Sequence, residues 1–558
     1  MKAPISCFGL LLLVAMTSNI DAQEPRSTTL AGRSTVYAPR GVIATSQPLA
    51  TAAGLAVLQA GGNAIDAAVT AAAVLNVVEP HMTGMGGDLF ALLWSNRLQR
   101  MVGLDASGRA GALMTREELM ARGHDRVPSR GAEAVTVPGA LSGWAALLEE
   151  HGTISLAEAL APAIRIAEEG FPVTPIIASQ WAGEVEKLAA NDGARATYLI
   201  DGTRAPRAGE WFRNPDLAAT FRLIAEHGPE TFYGGELGRR VVDGVRELGG
   251  FLTLDDLASH KPEWVEPMSV DFRGLRVWEL PPAGQGIAAL EMLRILEPYD
   301  LAAMGHNSAE YLHHLVEAKK LAYADLARFI ADRDHMTVPP DELLSDEFIA
   351  ERRHLLDPSR AADRPSPGRA VTSSETIYLS AADAEGNMIS FINSIYSGFG
   401  SGVVVPGTGF ALQNRGGGFT MELDHPNMVA PGKRPFHTII PAFVTRPTAT
   451  GQEPWLSFGV MGGSMQPQGH VQVLLNLLLF DMDLQDAIDA PRFRHLSGLR
   501  VALETPVTEQ VRRQLTSMGH EISDERFVSF GGSQAVMRLE RGWAAGSDPR
   551  KDGMAAGH

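Results

Sequence analysis

Thr376 is a hydroxyl that opens a strand directly behind a linker, and it is the residue of this sequence with the most chemical potential. The stretch Asp357 to Ala370 carries Pro358, Pro365, Pro367 and several Arg and Ser and has loop composition. Thr376-Ile-Tyr-Leu-Ser-Ala then reads as a strand, in which a β-branched residue is ordinary by itself. Other sources of chemistry are thin. There is no G-x-S-x-G elbow, no H-E-x-x-H and no complete P-loop. His313-His314 and Asp332-Arg-Asp-His335 offer ligand atoms, but a metal site needs three or four convergent groups, so surface or helix-capping roles are expected for them. Gly416-Gly-Gly418 after Arg415 has the composition of an anion cradle or, more simply, of a turn between strands.

The elements around these residues follow from periodicity. Pro48 to Ala60 and Asn63 to Val78 are spaced for two helices broken by Gly61-Gly62-Asn63, a buried helical hairpin. Thr83 to Trp94 is a glycine turn entering an apolar strand, and another strand ends at Leu104-Asp105. From Gly143 to about Ala350 the pattern is mainly helical, with a capping signal at Thr253-Leu-Asp-Asp256 and one strand interruption at Arg276 to Leu280. From Thr376 the period becomes two: Thr376 to Ala381, a turn at Asp383 to Asn387, then Met388 to Ser394, a hairpin. Strands at Gly409 to Gln413 and Trp455 to Val460, and a helix from His470 to Leu479, follow. Helices, strands and helices in that order predict sheets sandwiched by helical layers, an α+β protein.

The totals set bounds. At 558 residues, 45% apolar and 20% charged, the chain can bury a large core. A net charge of −17 repels phosphate backbones and anionic lipid, which argues against nucleic acid as a partner. Residues 1–22, with Lys2, the apolar run from Cys7 to Met16 and a small residue at Ala22, read as a secretory signal. That run is shorter than the roughly 20 residues a membrane span takes. The one cysteine, Cys7, lies inside it, so a mature chain would hold no thiol for catalysis, disulfides or thiolate metal sites.

Across nearly the whole length beyond the leader, the sequence resembles the γ-glutamyltransferase family of N-terminal-nucleophile hydrolases. The resemblance is carried by Gly54 to Ala67, Glu79 to Phe90, Val137 to Ala140, Phe232 to Gly235, Pro281 to Gly286, Gly432 to Pro435, Ala490 to Phe493 and Ser547 to Arg550. It implies a four-layer αββα sandwich made from two chains cut from one precursor: a large fragment 23–375 and a small fragment 376–558. The family's nucleophile is a threonine eleven residues before the asparagine of an Asp/Glu-Gly-Asn turn, and counting back from Asn387 reaches Thr376. Cutting the bond between Glu375 and Thr376 makes chemical sense. It frees an amine of pKa about 7.7 to 8.0, near working pH, able to serve as base for the hydroxyl of the same residue. The resemblance further implies Ser394 as a hydroxyl that orients the nucleophile, Gly462 and Gly463 as the oxyanion hole, and neither metal nor cofactor.

On the substrate side the resemblance breaks. The arginine that holds the substrate α-carboxylate in such transferases is here Ser107, with Arg109 two positions on. The aspartate for the α-amino group is Gly418, the paired serines are His437 and Thr438, and an asparagine of the amino-acid pocket is Tyr396. Leu412 to Gly416, His425 to Asn427 and Met465 to His470 resemble the branch containing class IV cephalosporin acylases, and the loop Phe419 to Lys433 is expected to be a short lid. The implied substrate is a small-molecule amide whose acyl group is glutaryl-like, bound by Arg109, Arg415, Tyr396, His437 and Thr438. The rival readings are a γ-glutamyltransferase and, in another class, a secreted binding protein that kept the fold. A periplasmic or secreted location, no membrane contact after processing, pairing of the two fragments and a dimer of such heterodimers complete the expectations.

Overall fold

The computed structural model describes residues 32–363, 375–525 and 528–558, and at Glu375 the backbone alone. The leader at 1–22 and most of the linker before Thr376 lie outside the described residues.

Two features of the sequence build the central hairpin. Alternation over Glu375–Ala382 and Met388–Tyr396 pairs the two as antiparallel neighbours, Ser380 opposite Ser390. The turn between them is fixed by Asp383, whose carboxylate accepts from the amides of Glu385 and Asn387, and from Ala64 at the start of the helix Ala64–Val78. A carboxylate at a helix N-terminus is favoured by the exposed amides and the helix dipole. The hairpin is therefore locked to the preceding helical pair, Pro48–Gln59 and Ala64–Val78.

Among the described residues the hairpin lies within one of two seven-stranded sheets. Its order is Met554–Gly557, Val42–Thr45, Glu375–Ala382, Met388–Tyr396, Asp88–Ser95, Arg100–Ala106 and Glu263–Val265. The other runs Val36–Ala38, Trp543–Ser547, Gly532–Arg538, Gly451–Met461, Ala442–Thr448, Leu275–Glu279 and Met268–Phe272. The side chains sort into three apolar layers. Ile377, Leu379 and Ala381 face the helices of residues 48–78, while Tyr378 and Ala382 face Phe443 and Val536 of the opposite sheet. Val444 and Phe458 turn outward onto the helices Gly286–Leu296, Ala309–Phe329 and Gln466–Leu479. Odd residues on one face and even residues on the other is the period-two rule of strands, and three apolar layers between two helical layers and two sheets make the αββα sandwich.

Several expectations need correction. Gly409 to Gln413 forms no strand; it is irregular chain held by the Leu412 amide on Val403 and the Gln413 amide on Gly86. The interval 143–350 holds a second edge hairpin strand, Met268–Phe272, joined to Leu275–Glu279 through Arg273 and Gly274, both at positive φ as a two-residue hairpin turn demands. His313 and His314 are buried rather than superficial: His314 Nδ1 is 2.8 Å from the Glu310 carbonyl, and His313 Nδ1 is 2.8 Å from His520 Nε2. No helix of the described residues is long and apolar enough to cross a membrane.

The sheets approach closely where Tyr378 lies over Gly459. A Cβ on Gly459 would sit 2.5 Å from two ring carbons of Tyr378. Gly459→Ala should therefore destabilise the protein by about 1–3 kcal/mol through overpacking. Urea unfolding of the two proteins side by side measures this, and an unchanged midpoint would mean the sheets yield without cost.

Candidate functional site

Thr376 sits where the ladder of the central hairpin slips. Glu375 pairs with Tyr396 and Ile377 with Asn393, so two residues, Ser394 and Ile395, stand opposite the single Thr376. Such a bulge bends the strand and re-aims its side chains, and bulges gather beside active sites. Here the Ile395 amide leaves the ladder for the Met82 carbonyl, and Ser394 Oγ is turned toward the neighbouring strand. Thr376 Oγ1 donates to Ser394 Oγ at 3.1 Å, and the Tyr396 amide donates to the same oxygen at 2.9 Å. Thr376 is 0% exposed. The glycine turn before Asp88–Ser95 makes this approach possible, because a Cβ on Gly87 would collide with the Ser394 carbonyl.

The strain of the bulge appears at Tyr396, whose φ of 79° is costly for a residue with a Cβ. Its ring carries the Arg415 guanidinium 4.5 Å from the centroid. Arg415 is fully buried at the start of a short 3-10 turn, Arg415–Gly418, so the glycine run is a turn. The guanidinium donates through Nη1 to Thr438 Oγ1 at 3.2 Å and through Nε to Asp88 at 3.4 Å. Asp88 is also buried, and its other oxygen accepts from the Gly108 amide at 2.9 Å. Burial pushes the Asp88 carboxyl up to about 6, against the pull of Arg415 and the Gly108 amide. His437, next to Thr438, is held well below the usual imidazole range by burial and then by the charges of Arg415 and Arg434, so it is neutral at pH 7. Both its ring nitrogens, and Nη2 of Arg415, are buried without a hydrogen-bond partner among the described residues. Each such orphan costs about 1–3 kcal/mol.

Thr376, Ser394, Tyr396, Arg415 and Thr438 are thus linked by direct contacts, and the charge of Arg415 reaches His437. Gly462 and Gly463 follow the strand Gly451–Met461 on the facing sheet. Ser380 Oγ donates to Ser457 Oγ and Tyr378 lies over Gly459, a progression that carries Thr376 toward the level of Met461 and Gly462. With φ of 124° and 60°, both positions suit glycine. The Gly462 carbonyl accepts from the Met465 amide, so in the planar trans peptide the Gly463 N–H points the opposite way, out of the turn. Gln285 Nε2 ties this loop to the Arg415 side, donating to the carbonyls of Gly463 at 2.8 Å and Thr438 at 2.6 Å.

Arg109 is turned elsewhere. It donates to Asp332 at 2.9 Å, Glu263 at 3.2 Å and the Gly432 carbonyl at 3.1 Å, so its charge is already met by two carboxylates. Ser107 Oγ donates to Asp105 at 2.6 Å. At Gly418 a Cβ would lie 2.6 Å from the Phe436 carbonyl oxygen, which leaves no room for an aspartate without a backbone shift. The loop 419–433 folds back on itself, with the Thr420 amide on Asn427 and Lys433 Nζ on the Met428 carbonyl. His313, Glu317 and His520 come together within 4.8 Å, but Glu317 is engaged by Lys320 at 2.7 Å and by the Ala362 amide at 3.2 Å. These contacts hold residues 357–363, the approach to the linker. Asp88 and Gln285 were given no role by sequence reasoning, although both lie in the stretches that carry the resemblance. The one signal for Asp88 was a carboxylate heading an otherwise apolar strand.

Comparison with known proteins identifies the family. A family model described as gamma-glutamyltranspeptidase matches residues 50–558. The glutathione hydrolase-like YwrD proenzyme of Bacillus subtilis is 37% identical over 533 residues, 94% of this chain and 99% of that protein. The oxamate amidohydrolase proenzyme of Klebsiella pneumoniae is 35% identical over 533 residues, 93% of this chain and 98% of that protein. Among solved structures, cephalosporin acylase from Bacillus halodurans superposes with a TM-score of 0.88 at 43% identity, covering 96% of this chain and 99% of that one.

The Asp88 shift has a stability consequence with a definite sign. A folded carboxyl titrating at about 6 against 3.8 unfolded keeps its proton while the unfolded chain loses it. Folding stability therefore falls as pH rises from about 4 to 6 and is level above that, a loss on the order of 3 kcal/mol. Asp88→Asn lacks this slope. Its Tm relative to the wild type should climb between pH 4 and 6 and then hold, measured by thermal scans in matched buffers; parallel profiles would contradict the assignment.

Proposed function

Because this chain belongs to the gamma-glutamyltranspeptidase family of enzymes, we propose that it is a self-cleaving amidase whose nucleophile is Thr376. The observation that carries the proposal is the Thr376 hydroxyl, donated to Ser394 at a break in the strand ladder. In the intact chain this hydroxyl is fully buried and its nitrogen is an amide, so it can neither meet a substrate nor act as a base. Attack of Oγ1 on the Glu375 carbonyl carbon closes a five-membered ring. The C–N bond breaks, an ester to Oγ1 forms and the nitrogen becomes an amine. Water then cleaves the ester, leaving the Glu375 carboxylate and a free hydroxyl. The fragments are 23–375, after loss of a leader at 1–22, and 376–558, which remain together in a periplasmic or secreted heterodimer.

Turnover repeats the same chemistry on a substrate amide. The amine of Thr376 takes the hydroxyl proton and Oγ1 attacks the acyl carbon. Ser394 holds the hydroxyl in place, and the amides at Gly462 and Gly463 meet the developing oxyanion. The amine of the substrate leaves with the proton, and water hydrolyses the acyl ester. The relatives named as amidohydrolase and acylase support this reaction. Arg415, Tyr396, His437 and Thr438 offer a cation and neutral polar groups but no free carboxylate, which supports an acyl group of the glutaryl kind without an α-amine. An ammonium group there forgoes a charge-assisted hydrogen bond of about 1.5–3 kcal/mol, roughly 10- to 150-fold in rate.

Two outcomes are expected. Purified wild-type chain runs as two fragments on a denaturing gel, cut at a rate independent of protein concentration, while Thr376→Ala stays whole and inactive; cutting in the alanine variant would end the self-cleavage reading. Glutaryl amides are hydrolysed at least tenfold faster in kcat/KM than γ-glutamyl amides, with or without an acceptor dipeptide. The reverse preference would make the protein a γ-glutamyl enzyme and overturn the reading of Ser107 and Gly418.

A further inference from the structure

The Arg415 guanidinium is engaged on three sides and open on one. Asp88 takes Nε, Thr438 takes Nη1, the Tyr396 ring covers a face, and the buried Nη2 has no partner among the described residues. His437 presents two unpartnered ring nitrogens in the same neighbourhood. These unpartnered atoms, Arg415 Nη2 and one nitrogen of the neutral His437, are mainly donors, fitting a ligand end that accepts. Their net charge, however, is set by a residue that does not itself face the ligand: Asp88, 0% exposed, at the head of the strand Asp88–Ser95 and directly opposite Ser394 in the ladder. In a dry site charges are weakly screened, so a guanidinium already paired with one carboxylate attracts a second much less than a free one does.

We propose that Asp88 is a specificity-determining residue of the acyl pocket, the counter-charge that sets how strongly Arg415 favours an acyl group ending in a carboxylate over one ending in a neutral acceptor. This rests on the amidase reading above. With Asp88 ionised, the pair is neutral and admits both kinds of acyl group, dicarboxylic half-amides and chains ending in a carboxamide. With the Asp88 charge removed, Arg415 carries an unbalanced positive charge and the carboxylate is selected. Asp88 acts through Arg415 and touches neither the acyl carbon nor Thr376.

The test compares two p-nitroanilides of equal length at pH 8, glutaryl and its neutral 4-carbamoylbutanoyl counterpart, and reads the ratio of their kcat/KM values. Asp88→Asn should raise the ratio at least tenfold, and Arg415→Gln should bring it near one. A purely structural Asp88 would lower both rates alike and leave the ratio unchanged, and a residue that only orients Arg415 would lower the ratio; either result overturns the proposal. If the asparagine variant fails to fold, the double change Asp88→Asn with Arg415→Met removes the buried pair as a unit, and a carboxylate preference surviving in it overturns the proposal equally. Wild-type protein that hydrolyses neither anilide would instead strike at the amidase reading, a failure distinct from an unmoved ratio.

Discussion

The structure around Thr376 depends on a mismatch of one residue in a strand ladder. Opposing two residues to one at that point frees the Ser394 side chain and the Ile395 amide from the regular pattern. The Ser394 hydroxyl then becomes the meeting point of the Thr376 hydroxyl and the Tyr396 amide. Tyr396, at the end of the bulged strand, takes positive φ, and its ring is the seat of Arg415. A perfectly regular hairpin would point Ser394 along the pleat and leave nothing to hold the threonine. The strain is tolerated because both strands are buried in the middle of a seven-stranded sheet, locked by Asp383 to a helix N-terminus.

Electrostatics supplies the second constraint. Asp88 and Arg415 are both wholly buried, a pairing whose desolvation is offset only by good geometry and further hydrogen bonds. The Gly108 amide and Thr438 provide some of these, but Nη2 and His437 are left over. A protein optimised for stability alone would fill such a site with apolar side chains. Gln285 adds mechanical coupling, since one side-chain amide holds the carbonyls of both the Gly463 turn and Thr438. The Gly463 turn and Thr438 flank neighbouring strands of one sheet, Gly451–Met461 and Ala442–Thr448, and cannot shift independently while that bridge stands.

Much of this was legible in the sequence where the period was strong and the pairing local. The helices Pro48–Gln59 and Ala64–Val78 and the hairpin from Glu375 follow from apolar spacing and from the glycine and aspartate turns between them. The capping box at Thr253 and Asp256 also forms. The sheet edges were illegible for the opposite reason. Val36–Ala38, an edge strand of three residues, finds its partner at Trp543–Ser547, some five hundred residues away, and that partner is itself alanine- and glycine-rich beside Gly532–Arg538. In the site, Thr376 and Ser394 lie 18 residues apart on one hairpin and could be found together. Asp88 and Arg415 are 327 residues apart, and opposite charges are common in any sequence. Only burial on every side makes that pair significant, and burial is a property of the folded sheet. Arg109 shows the converse: a plausible charge in the sequence that the fold commits to Asp332 and Glu263.

On the proposed reaction, the fold stores a buried hydroxyl which one cut turns into a nucleophile with its own base. The most direct test is the intact mass and N-terminal sequence of the small fragment from freshly purified protein. The expected result is a fragment of residues 376–558 beginning with an unblocked threonine, with activity appearing in step with it. A fragment starting at any other residue, or full activity in an uncut chain, would contradict it.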